Sequence, residues 1–269
     1  MTTKAIVSEL SWIARPPVDA TRHVAGTFRM VWRGAAVLFF SACALTEMAL
    51  LSLFVSRRDL VRTRSQWLHA WCRFACRVLG VQVRISGCAP SCGLLVSNHL
   101  SYLDIIVLSA QRPCVFVAKS DVAGWPLFGA LARAAGTMFV DRTHRSSAGR
   151  SVKAIDDALC DGHLVVLFPE GTSSDGTTVL PFKSSLIEPV TRLACRTTTA
   201  TLSYSLANGS VADEVCYWRD MTLLPHLLNL FTKRRIDGTI VFSESRVRSG
   251  DRKQLARELH DDVASSLKV

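Results

Sequence analysis

An imidazole and a carboxylate stand five residues apart in the run Leu94-Leu95-Val96-Ser97-Asn98-His99-Leu100-Ser101-Tyr102-Leu103-Asp104. On one regular helix, five residues turn through about 140°, so these two side chains would point apart. They can meet if His99 lies on a strand-to-helix turn and Asp104 in the first turn of the helix, with Ser101 as N-cap. A carboxylate placed there accepts a hydrogen bond from one ring nitrogen. It then fixes the tautomer and supports the charge the imidazole gains on taking a proton. The same spacing also fits a capping acid beside an ordinary loop histidine.

Two further stretches deliver polar groups at strand ends. In Phe168-Pro169-Glu170-Gly171-Thr172, an apolar strand runs into a turn whose glycine admits close backbone approach. The threonine hydroxyl and exposed N–H groups of such a turn suit an anion. In Phe139-Val140-Asp141-Arg142, a strand ends in an acid and a base. Arg142 is equipped for bidentate phosphate binding, or for pairing with Asp141 or Glu170.

The elements that must position these groups alternate. Strand patterns at 81–86, 94–97, 114–118, 137–140, 164–168, 199–204 and 239–242 are interleaved with helical patterns at 62–80, 104–110, 148–159 and 251–267. That order predicts an α/β domain with a central mixed sheet flanked by helices. The final helix carries Leu255, Leu259, Val263 and Leu267 four apart, which marks its buried face.

Residues 34–55, GAAVLFFSACALTEMALLSLFV, are apolar apart from Glu47. As a helix they would extend roughly 33 Å, enough to cross a hydrocarbon core. A charge at the centre is costly in lipid, so a shallowly embedded helix and a buried core helix stand beside a true span. Arg29 and Arg33 precede the segment, and Arg57, Arg58, Arg62 and Arg64 follow it. The denser basic flank places the carboxyl-terminal part on the cytoplasmic side of the cell's inner membrane. The expected division is an amphipathic, membrane-embedded region over 1–62 and a catalytic domain over 63–269.

Lys+Arg 32 against Asp+Glu 22 gives a net charge of +10, which suits nucleic acid, an anionic membrane or an acidic substrate. No zinc-finger spacing, basic-region heptad or RNA-recognition strand supports the first, so no nucleic-acid partner is expected. The nine cysteines lack paired Cys-x-x-Cys spacing and read as reduced small hydrophobes rather than zinc ligands or disulfides. The histidines at 23, 69, 144, 163, 226 and 260 lack an acid at a comparable interval and read as exposed or structural.

Together the three stretches resemble the glycerolipid acyltransferase family, whose best-known members acylate lysophosphatidic acid (1-acylglycerol-3-phosphate). Asn98-His99 through Asp104 matches its His-x4-Asp block, residues 139–142 its second block and residues 168–172 its third, in the family's order. The likeness covers roughly residues 75 to 210. It implies that His99 is a general base and Asp104 its orienting partner. It further implies that Arg142, Glu170, Gly171, Thr172 and Lys119 shape the site for the acceptor's head group. The donor implied is acyl-CoA or acyl-acyl carrier protein, with no metal or other cofactor, and the product of the leading reaction is phosphatidic acid.

Three departures bear on the acceptor. Ser173 stands where many members carry arginine, residues 199–202 lack a frequent proline, and residues 181–185 carry serine where glycine is common. The run from 168 to 185 looks closest to a bacterial subgroup that includes enzymes acting on lyso-ornithine lipid, whose head is a zwitterionic amino acid. Acylation of lysophosphatidic acid is the leading expectation, with lyso-ornithine lipid or another lysolipid second. A catalytically silent lipid-binding membrane protein is the non-enzymatic alternative.

Overall fold

Burial runs unbroken along two central strands, β2 (Gly93–Ser97) and β5 (Leu164–Leu167), as expected for parallel strands covered on both faces. The computed structural model describes residues 20–140, 145–193, 195–248 and 250–267. Its helices are α1 (Ala20–Phe54), α2 (Leu60–Leu79), α3 (Leu103–Ser109), α4 (Phe128–Ala134), α5 (Arg145–Cys160), α6 (Glu188–Leu193), α7 (Val211–Glu214), α8 (Leu223–Thr232) and α9 (Arg252–Leu267). The remaining strands are β1 (Val81–Ser86), β3 (Val115–Lys119), β4 (Met138–Val140), β6 (Arg196–Ser205), β7 (Ile236–Phe242) and β8 (Arg246–Val247). The fold is mixed α/β, as the sequence pattern predicts.

The sheet order is β1-β7-β6-β2-β5-β3-β4, with β8 beside β6. Pairing is parallel except where β6 meets β7 and β8. Because side chains alternate along a strand, β2 and β5 each feed two cores. Leu95, Leu164 and Val166 pack with α2, α3 and α8 on one face. Leu94, Val96, Val165 and Leu167 pack with Ile155 of α5 and Leu255 and Leu259 of α9 on the other. The parallel register of β2 with β5 brings both strands' carboxyl ends to the same edge of the sheet. That edge is where ligands meet open parallel sheets.

Helix α1 is long and apolar enough to cross a membrane: Val24–Phe54 has a hydropathy of 2.0, and only 11% of its most apolar window is buried. It is nonetheless held against the rest of the chain at several points. In its first half, the Arg29 Nε–H donates to the Thr232 carbonyl at 3.0 Å. The buried Arg33 guanidinium donates to the carbonyls of Phe231 and Lys233. Both arginines thereby satisfy carbonyls at the carboxyl end of α8, where positive charge is favoured. In its second half, Ala44 and Met48 pack with Trp67 of α2 and Ala135 beyond α4. Glu47 accepts a 2.7 Å hydrogen bond from the Trp71 indole. The acid in the middle of the apolar run therefore has a partner, and the flanking Arg29 and Arg33 belong to the packing rather than to a free basic flank.

Helix α8 was not among the sequence expectations. Its residues LLPHLLNLFT form a short apolar run of ten residues interrupted by Pro225, a length at which helix and strand patterns are hard to tell apart.

Candidate active site

His99 leaves β2 two residues past its end, and Asn98 fixes that exit. Its side-chain amide donates to the Leu202 carbonyl at 2.9 Å and accepts from the Leu202 N–H at 2.7 Å. This side chain continues the ladder between β2 and β6 as the backbone of β2 turns away, so the next residue faces outward. The imidazole lies on the Phe168 ring, with centroids 4.2 Å apart and planes 16° from parallel.

Asp104, in the first turn of α3, is fully buried beneath it. His99 Nδ1 donates to Asp104 Oδ2 at 2.8 Å. The same oxygen accepts the N–H groups of Leu100 at 2.6 Å and Ser101 at 3.0 Å. Asp104 Oδ1 accepts the Tyr204 hydroxyl at 2.7 Å. Four donors thus converge on an acceptor-only carboxylate. Burial, with the Asp104 charge adding to it, raises the Tyr204 phenol well above its ordinary value, so Tyr204 stays a donor. Ser101, expected as the cap of α3, lies one residue before the cap position, which is Tyr102 and makes no side-chain cap bond. The Ser101 hydroxyl is buried without a hydrogen-bond partner. Asp104 itself reaches back to the backbone N–H groups, which removes the need for a hydroxyl cap.

With Nδ1 bound to Asp104, the proton sits on Nδ1 and Nε2 presents a lone pair. The His99 side chain is 22% exposed and Asp104 is 0% exposed. The pair is therefore open at the imidazole and sealed at the carboxylate, as a proton acceptor with a fixed tautomer requires.

The turn after β5 closes the site from behind. Gly171 adopts φ +68, a left-handed conformation that favours glycine, with the flexible Lys183 side chain lying against it. Glu170 is 2% exposed. One of its carboxylate oxygens accepts the His99 N–H at 2.9 Å and the other the Leu180 N–H at 3.2 Å. Burial pushes this carboxyl up to about 7, against the two N–H bonds that hold it down. Glu170 thus shapes the site by pinning the backbone of His99, with neither oxygen turned to solvent. Thr172 is exposed at the tip of the turn. The Ser173 hydroxyl donates to the Tyr217 carbonyl, and the Ser174 N–H donates to the His99 carbonyl at 2.9 Å.

Lys119 ends β3, exposed and level with Val140 of β4. Arg142 lies outside the described residues, as does Asp141. Four residues that the sequence reading left without a role therefore build this site: Asn98, Tyr204, Phe168 and Tyr217. Asn98 and Phe168 sit inside the recognised blocks, but Tyr204 and Tyr217 come from distant segments and carry no local signal. Of the other histidines, His226 is buried and shares a 3.0 Å hydrogen bond with the Tyr102 hydroxyl, and His69 bonds the Ser109 carbonyl. The nine cysteines are free, with Cys88, Cys92 and Cys160 exposed. Among the described residues, no group of three His, Cys, Asp or Glu could hold a metal.

Comparison with known proteins bears on the family and the fold. Residues 82–205 match the family model for "Acyltransferase". A lyso-ornithine lipid O-acyltransferase of Rhizobium meliloti is 37% identical over 219 residues, covering 75% of each chain. A 1-acyl-sn-glycerol-3-phosphate acyltransferase of Neisseria gonorrhoeae is 33% identical over 147 residues, covering 50% of this chain and 56% of its own. The crystal structure of the 1-acyl-sn-glycerophosphate acyltransferase PlsC from Thermotoga maritima superposes with a TM-score of 0.65 at 17% identity. It covers 93% of this chain and 96% of that one, which is a likeness of fold.

Proposed function

The chain belongs to the acyltransferase family, and from that premise we propose that it acylates the hydroxyl of lyso-ornithine lipid, with His99 as general base and Asp104 as its orienting partner. The observation that carries the mechanism is the single hydrogen bond from His99 Nδ1 to Asp104, which leaves Nε2 free on the open side. The acceptor's hydroxyl donates to Nε2 and attacks the thioester carbonyl carbon of acyl-CoA or acyl-acyl carrier protein. His99 takes the proton as the new C–O bond forms. The C–S bond then breaks, and the protonated imidazole returns the proton to the departing thiolate. Asp104 supports the imidazolium in between, its other lone pairs already filled by Tyr204 and two backbone N–H groups.

Lyso-ornithine lipid moves ahead of lysophosphatidic acid, the order opposite to the one the motifs suggest. The Rhizobium relative is alike over three quarters of both chains, the Neisseria relative over about half. Ser173, which replaces a frequent arginine, spends its hydroxyl on Tyr217 and so offers no phosphate contact. Lysophosphatidic acid is the second reading, favoured by the Neisseria relative and by Arg142.

The place of action is the cytoplasmic leaflet of the inner membrane. Helix α1 packs against α8, α2 and the end of α4, and exposes Val24, Phe28, Val31, Leu38, Phe39, Leu50 and Leu53. A helix so attached suits lying along one leaflet better than standing free across it. Exposed Arg57, Arg58 and Arg62 beyond its end suit anionic head groups.

The test supplies lyso-ornithine lipid and lysophosphatidic acid separately, each with one acyl-CoA in mixed micelles, and follows free thiol. Wild-type release with lysophosphatidic acid alone rules out the acceptor named here. His99→Ala is expected to abolish release while vesicle binding persists, and unchanged turnover would refute the general-base role.

A further inference from the structure

Three segments cross beside His99. The Ser174 N–H donates to the His99 carbonyl at 2.9 Å, and the Tyr217 N–H donates to the Leu100 carbonyl at 2.8 Å. The Ser173 hydroxyl donates to the Tyr217 carbonyl, and the Cys216 thiol donates to the Asp175 carbonyl at 3.3 Å. The loop between α7 and α8 is therefore stitched both to the residues following His99 and to the turn after β5.

Two charged residues project from this junction. Asp175 is one residue past Ser174, and one of its oxygens accepts both the N–H and the hydroxyl of Thr177, at 3.0 and 2.8 Å. Those bonds, together with the nearby Arg219 charge, hold the carboxyl below its ordinary range, so it is ionised at neutral pH. Arg219 is two residues past Tyr217 and exposed. Its guanidinium stands over the Trp218 ring at 3.9 Å rather than closing on Asp175. Its backbone has φ +52, a left-handed conformation that side chains disfavour. Such strain persists where surrounding contacts enforce it, and it gathers at binding sites. The Arg219 charge acts on the Asp175 carboxyl, two residues past Ser173.

Building on the function proposed above, we infer that Arg219 and Asp175 together read a zwitterionic acceptor head, Arg219 taking its carboxylate and Asp175 its ammonium group. A phosphate dianion gains Arg219 but is repelled by Asp175, whereas the carboxylate and the side-chain ammonium of one amino-acid head satisfy both. Placing opposite charges on separate segments discriminates by repulsion as well as attraction. Ser173 contributes by anchoring the loop that carries Arg219, so it acts through position rather than by contact.

The experiment measures wild type, Arg219→Gln and Asp175→Asn with one acyl-CoA against lyso-ornithine lipid and lysophosphatidic acid. An acceptor that is not turned over is measured as a competitive inhibitor. Arg219→Gln is expected to raise KM for lyso-ornithine lipid about tenfold, with the loss on KM rather than kcat. Asp175→Asn keeps an oxygen for Thr177, and it is expected to weaken lyso-ornithine lipid while tightening lysophosphatidic acid. A merely structural role would shift both lipids the same way. Parallel shifts in Asp175→Asn, or an unmoved KM in Arg219→Gln, would overturn the inference. Wild type that turns over only lysophosphatidic acid removes the acceptor assignment instead, a result visible before any variant is made.

Discussion

Glu170→Gln tests whether the buried carboxyl behind His99 titrates as its surroundings require. Burial raises Glu170 from 4.5 to about 7, and the nearby Asp104 charge adds to this, while the N–H groups of His99 and Leu180 and the charge on His99 oppose it. The folded protein therefore holds this proton more tightly than the unfolded chain does. Between roughly pH 4.5 and 7 folding takes up a proton, so stability falls as pH rises through that window and levels off above it. At about 1.4 kcal/mol per tenfold in proton affinity, the full change is on the order of 3 kcal/mol. Glutamine is isosteric, keeps one oxygen to accept an N–H, and does not titrate. Unfolding free energies of both proteins, measured by denaturant titration in one detergent from pH 4.5 to 8, give a difference curve free of all other titrating groups. Wild type is expected to lose about 3 kcal/mol relative to the variant across the window. Parallel curves would refute the reasoning, because they would mean that Glu170 is solvated or already ionised throughout.

Tyr204→Phe leaves one oxygen of the buried Asp104 carboxylate without its donor and is expected to cost about 1–3 kcal/mol of stability. In an Asp104→Asn background the same change should cost markedly less; an equal cost in both backgrounds, read by denaturation, would show that the hydroxyl does not act through Asp104. Arg33→Ala removes the donor to the Phe231 and Lys233 carbonyls and is expected to cost roughly 1–3 kcal/mol. Hydrogen exchange should report the loss as faster exchange in α8, while α9, on the opposite face of the sheet, keeps its protection.

The interplay of local and distant signals is clearest at Asp104. Its interval from His99 could be read as a catalytic pair or as a helix cap, and the geometry serves both readings: Oδ2 accepts from the imidazole and from two backbone N–H groups together. Glu170 shows the opposite case. Its motif marked it as a head-group residue, but only burial reveals that both its oxygens are committed to backbone N–H groups. Helix α1 is a third case, since hydropathy identified it and could not distinguish a span from a helix attached to the domain through Arg33 and Trp71.

By itself the sequence determined the α/β alternation and the apolar amino-terminal helix. These follow from periodicity and short-range spacing, which the backbone converts directly into local geometry. Tertiary structure alone decided that Tyr204 closes the Asp104 carboxylate, that Arg29 and Arg33 cap α8, and that the Arg219 charge comes near Asp175. Those contacts join segments dozens to some two hundred residues apart. The pairing of β2 with both β5 and β6 and the packing of α1 on α8 bring such segments together, and no local pattern encodes which side chains then meet.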